Sequence, residues 1–204
     1  MSIMHSIKNI MPERMPSFGA VFYSGVPAKI FEPYYKLIAD EIPLKEDGLF
    51  LDIGTGPGML PIDIAKRLPR LKIIGIDLSE KMIQIAGKNK IRRNTDNVEF
   101  KVMDANAMQF ADNSIDFVLS TGSLHHWKKP AVILDEIYRC LKPGCQAWIY
   151  DGYGGASDDD INKGIRRLCC GFPWNSLVRR VLSIHGFTQN EYETTISKIH
   201  IHKG

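Results

Sequence analysis

Apolar positions follow two rhythms along this chain. Between residues 49 and 151, short and nearly continuous apolar runs alternate with longer stretches in which apolar residues recur every three or four positions. The first rhythm fits a strand buried on both faces, the second an amphipathic helix. GLFLDIG predicts a first strand, 59–68 a helix, LKIIGID a second strand, and 79–93 a helix that Ser79 is suited to cap. VEFKVMD predicts a third strand and SIDFVLS a fourth. A helix over 130–141 follows, stopped by Lys142-Pro143-Gly144, and CQAWIYD predicts a fifth strand. Such alternation, joined by right-handed crossovers, predicts an α/β fold: a doubly wound, mostly parallel sheet with helices on both faces.

The flanks carry weaker signals. Upstream, Ile30, Tyr34, Leu37, Ile38 and Ile42 have helical spacing, with Pro33 marking either a helix start or a bend. Downstream of Asp151, GGASDDD reads as a loop, followed by helical pieces at 161–170 and 176–184. Thr188-Gln189-Asn190-Glu191 has the form of a capping box opening a last helix to about residue 198. A length of 204 residues with 44% hydrophobic and 24% charged positions suits one globular domain over 1–204, with 1–45 as an N-terminal cap segment. A net charge of +3 gives no argument for a nucleic-acid partner. The absence of an apolar run of about eighteen residues argues against a spanning helix, and the first residues lack a signal-peptide core. Cys140, Cys145, Cys169 and Cys170 form no CxxC pair, which fits reduced thiols in a cytoplasmic protein with no metal site.

The segment Asp52-Ile53-Gly54-Thr55-Gly56-Pro57-Gly58 lies between the first strand and its helix. Alternate glycines let main chain approach a ligand closely at the carboxyl end of a strand, where open α/β sheets bind small molecules. A dinucleotide site spaces its glycines G-x-G-x-x-G and holds pyrophosphate on open amides. Here the third glycine comes one residue early, Pro57 lacks an amide hydrogen, and Asp52 would repel a diphosphate. A carboxylate at that point suits a cation with an amino acid tail, as in S-adenosylmethionine. Asp77 ends the second strand roughly nineteen residues past Gly58, a separation that suits ribose hydroxyls. Asp104-Ala105 ends the third, placed to accept from an adenine amino group.

These motifs resemble the class I S-adenosylmethionine-dependent methyltransferases, in particular the ubiquinone/menaquinone-biosynthesis branch grouped as methyltransferase type 11. LDIGTGPG, GIDLSEKM, VMDANAMQFADNSIDFVLSTGSLHHW and ILDEIYRCLKPG are similar to successive family motifs, in order, from about residue 50 to 151. The resemblance implies a Rossmann-like fold and the cofactor S-adenosylmethionine, released as S-adenosylhomocysteine. It further implies that Gly54, Thr55, Gly56 and Gly58 pass under the methionine portion while Asp52 reaches its ammonium. Asp77 would clasp the ribose, Leu78 and Met82 would lie against the adenosine, and Asp104 and Ala105 would hold the adenine edge. Ser120 and Thr121 would close the site, and Tyr23 would fold over it. Family members finish with an antiparallel hairpin. This sequence stops at IHIHKG before one, so either the domain is short, with an edge that a dimer could cover, or the sequence is truncated there.

Methyl transfer from a sulfonium needs alignment more than acid or base, so an inconspicuous catalytic motif is expected. In Leu124-His125-His126-Trp127, His125 is the candidate to orient an acceptor or take its proton, beside the alternative that the histidines cap or pack. The insert 151–186 carries Tyr153, Phe172, Pro173 and Trp174 and suits a lid over a small-molecule acceptor. Rival readings are a nicotinamide-dependent oxidoreductase, a catalytically silent S-adenosylmethionine-binding protein, and an RNA or protein methyltransferase. The absence of an N/D-P-P-Y/F motif after the fourth strand weakens the last for base amino groups.

Overall fold

In a computed structural model, residues 35–150 are described, apart from Leu37, Glu41 and the side chain of His125. Residues 35–36 and 38–40 are helical, as the spacing of Ile38 and Ile42 predicts, and both isoleucines are buried. Then follow β1 (Gly48–Ile53), α1 (Met59–Arg67), β2 (Leu71–Asp77), α2 (Glu80–Arg92), β3 (Val98–Val102), β4 (Ile115–Thr121), α3 (Pro130–Cys140) and β5 (Leu141–Tyr150). Short 3-10 turns at Ala105–Ala107 and Leu124–His126 follow β3 and β4.

The strands form one parallel sheet in the order β3-β2-β1-β4-β5. From β1 the chain builds outward to β3, then returns to the other side of β1 as β4. The carboxyl ends of β1 and β4 therefore flank the crevice where such sheets take ligands. Consecutive strand residues face opposite ways. Phe50, Ile73, Phe117 and Leu119 join one core with Ile38, Leu60, Ile62 and Ile64. Leu51, Ile53, Ile76 and Val118 join the other with Ile133 and Ile137 of α3. On the first face, rings run across three strands: Phe50 stacks on Phe117 at 5.9 Å, Phe117 meets Trp148 at 6.0 Å, and Trp148 meets Tyr150 at 6.2 Å. Such contacts add to burial alone.

Two boundaries differ from the sequence expectation. The third strand ends at Val102 rather than Asp104, because its partner β2 ends at Asp77. The stop segment Lys142-Pro143-Gly144 lies inside β5 rather than between α3 and the strand. Ile115 pairs with Leu141 and Phe117 with Gln146, so three extra β5 residues bulge out of the ladder. Pro143 has no amide to contribute there, which is the usual place for proline in a sheet.

Candidate functional site

The segment between β1 and α1 is held from below by β2. Gly54 and Thr55 both donate to the Ile76 carbonyl, at 2.9 and 3.0 Å, and Gly58 donates to the Thr55 carbonyl at 3.0 Å. Gly56 donates to Asp77 Oδ2 at 3.0 Å, and the other oxygen of Asp77 accepts from Ser79 at 2.8 Å. On the far side, Asn89 of α2 donates to the Pro57 carbonyl at 2.8 Å. All three glycines have left-handed φ angles, 72°, 53° and 73° in order. A Cβ on Gly54 would fall 2.4 Å from Cβ of Ser123, and one on Gly58 would fall 2.5 Å from the Phe100 ring. Gly54 and Gly58 are thus needed for packing as well as for backbone shape. Gly56 differs: among the described residues a Cβ there would meet nothing within 4 Å, so this glycine faces space that they leave open.

Carboxylates stand at three neighbouring strand tips. Asp52, at the end of β1, is only 3% exposed. Burial pushes its pKa up to about 7; the Thr55 hydroxyl beside it opposes the shift, and the Asp77 charge reinforces it. The Thr55 oxygen nonetheless completes no hydrogen bond of good geometry. Asp77 is also raised by burial, against the two amides it accepts from. Ser79 caps α2 as expected, accepting from Met82 at 3.4 Å, and the Met82 side chain is buried while Leu78 is half-buried. Asp104 caps the Ala105–Ala107 turn, accepting on Oδ1 from the amide of Asn106 at 2.8 Å and from its Nδ2 at 2.7 Å. Ala105 is buried.

Beyond β4, Ser123 binds the turn to the rest of the site. Its Oγ lies 2.6 Å from Ser120 Oγ, donates to the Ile53 carbonyl at 3.3 Å, and accepts from Trp127 Nε1 at 3.2 Å. Among the described residues Thr121 Oγ1 is buried with no hydrogen-bond partner, and nothing lies within 4 Å of a Cβ placed on the next residue, Gly122. The turn carries the backbone of His125 to this same edge of the sheet.

The predicted residues Asp52, Gly54, Thr55, Gly56, Gly58, Asp77, Leu78, Met82, Asp104, Ala105, Ser120 and Thr121 all lie at or just past the carboxyl ends of β1, β2, β3 and β4. Tyr23, the insert 151–186, the capping box at Thr188, the Ile-His-Ile-His segment, the vicinal Cys169-Cys170 and any terminal hairpin lie outside the described residues. Sequence reasoning missed Ser123, Asn89 and Asn106, whose partners are fixed only by the fold. Among the described residues no cluster of three or more metal-ligating side chains exists, and no helix is long and apolar enough to cross a membrane.

The loop amides decide what this edge can hold. The amides of Gly54, Thr55, Gly56 and Gly58 are all committed inside the protein and Pro57 has none, so no loop N–H remains for a pyrophosphate. What remains among the described residues is a space above Gly56, an ionisable buried carboxylate, and an unpartnered hydroxyl at Thr121, a set that fits a cationic nucleoside. Residues 51–149 match the family model described as a methyltransferase domain. Residues 51–149 form a methyltransferase domain of the class I S-adenosylmethionine-dependent family.

This membership sets aside the nicotinamide reading. Among curated methyltransferases, demethylmenaquinone methyltransferase of Chlorobaculum parvum is 30% identical over 151 residues, covering 72% of this chain and 59% of the relative. Phosphoethanolamine N-methyltransferase 2 of Caenorhabditis elegans is 32% identical over 131 residues, covering 63% and 30%. The chain thus spans less than two thirds of the length of these relatives. Among solved structures, a methyltransferase from Aquifex aeolicus shares the fold, with a TM-score of 0.70 at 21% identity, covering 94% of this chain and 91% of that one. The phosphoethanolamine N-methyltransferase 2 of Haemonchus contortus, solved with phosphomonomethylethanolamine and S-adenosylhomocysteine, has a TM-score of 0.59 at 25% identity, covering 82% and 41%.

Proposed function

We propose that this chain binds S-adenosylmethionine across the tips of β1, β2 and β3 and directs its methyl group to a small organic acceptor beside the tip of β4. The observation that carries this reading is the loop with every N–H committed inward while one glycine opens to space next to buried Asp52. Relatives that methylate quinone precursors and phosphobases, by their names, support an acceptor of that size.

When bound, S-adenosylmethionine supplies a methyl group on a positively charged sulfur that departs as a neutral thioether. The chain's share is to hold, align and keep out water. Asp52 offers a carboxylate to the ammonium, Asp77 to the ribose hydroxyls, and Asp104 with Ala105 an edge to the adenine. Leu78 and Met82 flank the nucleoside, and Ser120 and Thr121 border the methionine tail. Orientation of this kind is worth up to ~7–11 kcal/mol of a barrier. His125 accepts a proton only from an acceptor that must lose one.

Calorimetry with S-adenosylmethionine and S-adenosylhomocysteine tests the cofactor. Wild type binds both, and Asp77→Asn, which keeps one acceptor for the amides of Gly56 and Ser79, loses roughly tenfold in affinity, about 1.4 kcal/mol. Equal affinity in the variant would refute the ribose role. Incubation of wild type with methyl-labelled cofactor and a panel of quinols, amines and phosphobases tests the reaction. Tight binding without label transfer to any of them would favour a silent binder.

A further inference from the structure

We propose that Asn106 is a positioning residue that makes the site selective for a 6-amino purine by fixing the carboxylate of Asp104; this rests on the cofactor reading above. Both bonds from Asn106, through its amide N and its Nδ2, fall on Oδ1 of Asp104. Among the described residues Oδ2 takes no hydrogen bond. One oxygen is clamped and the other is left as an acceptor.

The Asn106 side chain bears a cost in this arrangement. Its own Oδ1 is buried without a hydrogen-bond partner, an exception among buried polar atoms. Turning the amide over would not relieve it, because Oδ1 of Asn106 would then face Oδ1 of Asp104, acceptor against acceptor. The orientation is therefore dictated by the carboxylate. The turn beneath is also anchored. Met108 donates to Glu136 Oε2 at 2.8 Å, and Arg139 donates to the carbonyls of Met108 at 2.9 Å and Phe110 at 2.8 Å. A carboxylate held on both its backbone and one oxygen presents the other oxygen in a fixed direction, and discrimination depends on such fixed groups. An exocyclic amino group donates to Oδ2. A 6-oxo group at the same place brings a second acceptor and is repelled.

The test measures Kd of the full chain for S-adenosylhomocysteine and for its 6-oxo analogue, S-inosylhomocysteine, in wild type, Asn106→Ala and the isosteric Asn106→Asp. Wild type prefers the amino ligand by roughly tenfold or more. In both variants that preference falls to about threefold or less, while affinity for the 6-oxo ligand stays within about twofold of wild type. Thermal unfolding without ligand checks that the variants fold. An unchanged preference in the variants, a parallel loss of both ligands, or a wild type indifferent to the 6-position would each overturn the role of Asn106. A wild type that binds neither ligand would overturn the cofactor reading as well.

Discussion

At the scale of single residues, Asp52 sets the site's response to pH. Its pKa of about 7 in the folded chain lies above the ordinary carboxylate value, so between about pH 4 and 7 the folded state keeps a proton that the unfolded state has lost. The contribution is fully present below about pH 4 and is lost as pH rises through about 7, an upper bound of about 4 kcal/mol. In urea titrations, the stability difference between Asp52→Asn and wild type therefore widens in favour of the variant from about pH 5 to about pH 8. A bound cation acts in the opposite sense by favouring the ionised carboxylate. Affinity for S-adenosylhomocysteine rises through that pH range in wild type and stays flat in the variant; a flat wild-type profile would show that Asp52 does not face the ammonium. The aspartates at or just past the strand tips were legible in the sequence because each closes an apolar run, to within about two residues of the strand's end. Ser123 and Asn106 were not, since Ser123 meets Ile53, seventy positions away, and Asn106 matters through an orientation that no spacing reveals.

Elements were read well in their interiors and less well at their ends. Apolar periodicity reports burial, and burial fades where strands stop pairing. That is why VEFKVMD ran two residues past β3, and why a proline-glycine pair that looked like a helix stop lies in a bulge within β5. The junction between α1 and β2 shows another kind of hidden signal. Asn97, just before β3, points Nδ2 at the carbonyls of Ala65 at 3.1 Å, Leu68 at 3.0 Å and Leu71 at 2.9 Å. Its two hydrogens are shared among carbonyls at the end of α1, Ala65 and Leu68, and at the start of β2, Leu71. Asn97→Ala removes this shared donor, although the Leu68 carbonyl keeps its bond from the Leu71 amide, and destabilises the chain by about 1–3 kcal/mol in chemical denaturation, with an unchanged slope against denaturant. A loss below about 0.5 kcal/mol would mean that water replaces the amide without penalty.

For the whole molecule, the sheet order places the two sides of the crevice on different halves of the chain. β1, β2 and β3 carry the aspartate tips, and β4 carries the turn beside them. The doubly wound class was legible because strand and helix rhythms alternate everywhere but between β3 and β4, and the crevice follows from the reversal of strand order at β1. A ligand bridging three strand tips stabilises the folded state as a unit. S-adenosylhomocysteine at a hundred times its Kd adds about 2.7 kcal/mol, a rise of roughly 5–10 °C in Tm for a chain this size. The rise shrinks in Asp77→Asn at the same ligand concentration, and an equal rise would mean that the ligand binds elsewhere.

The Ser123 hydroxyl has one hydrogen and three neighbours, Ser120, Ile53 and Trp127, drawn from both sides of the crevice. Gly54 packs against the same side chain, so the indole nitrogen, the hydroxyl and the first glycine of the loop lie in one chain of contacts. Trp127→Phe therefore takes away one partner of the hydroxyl that joins the turn after β4 to the last residue of β1.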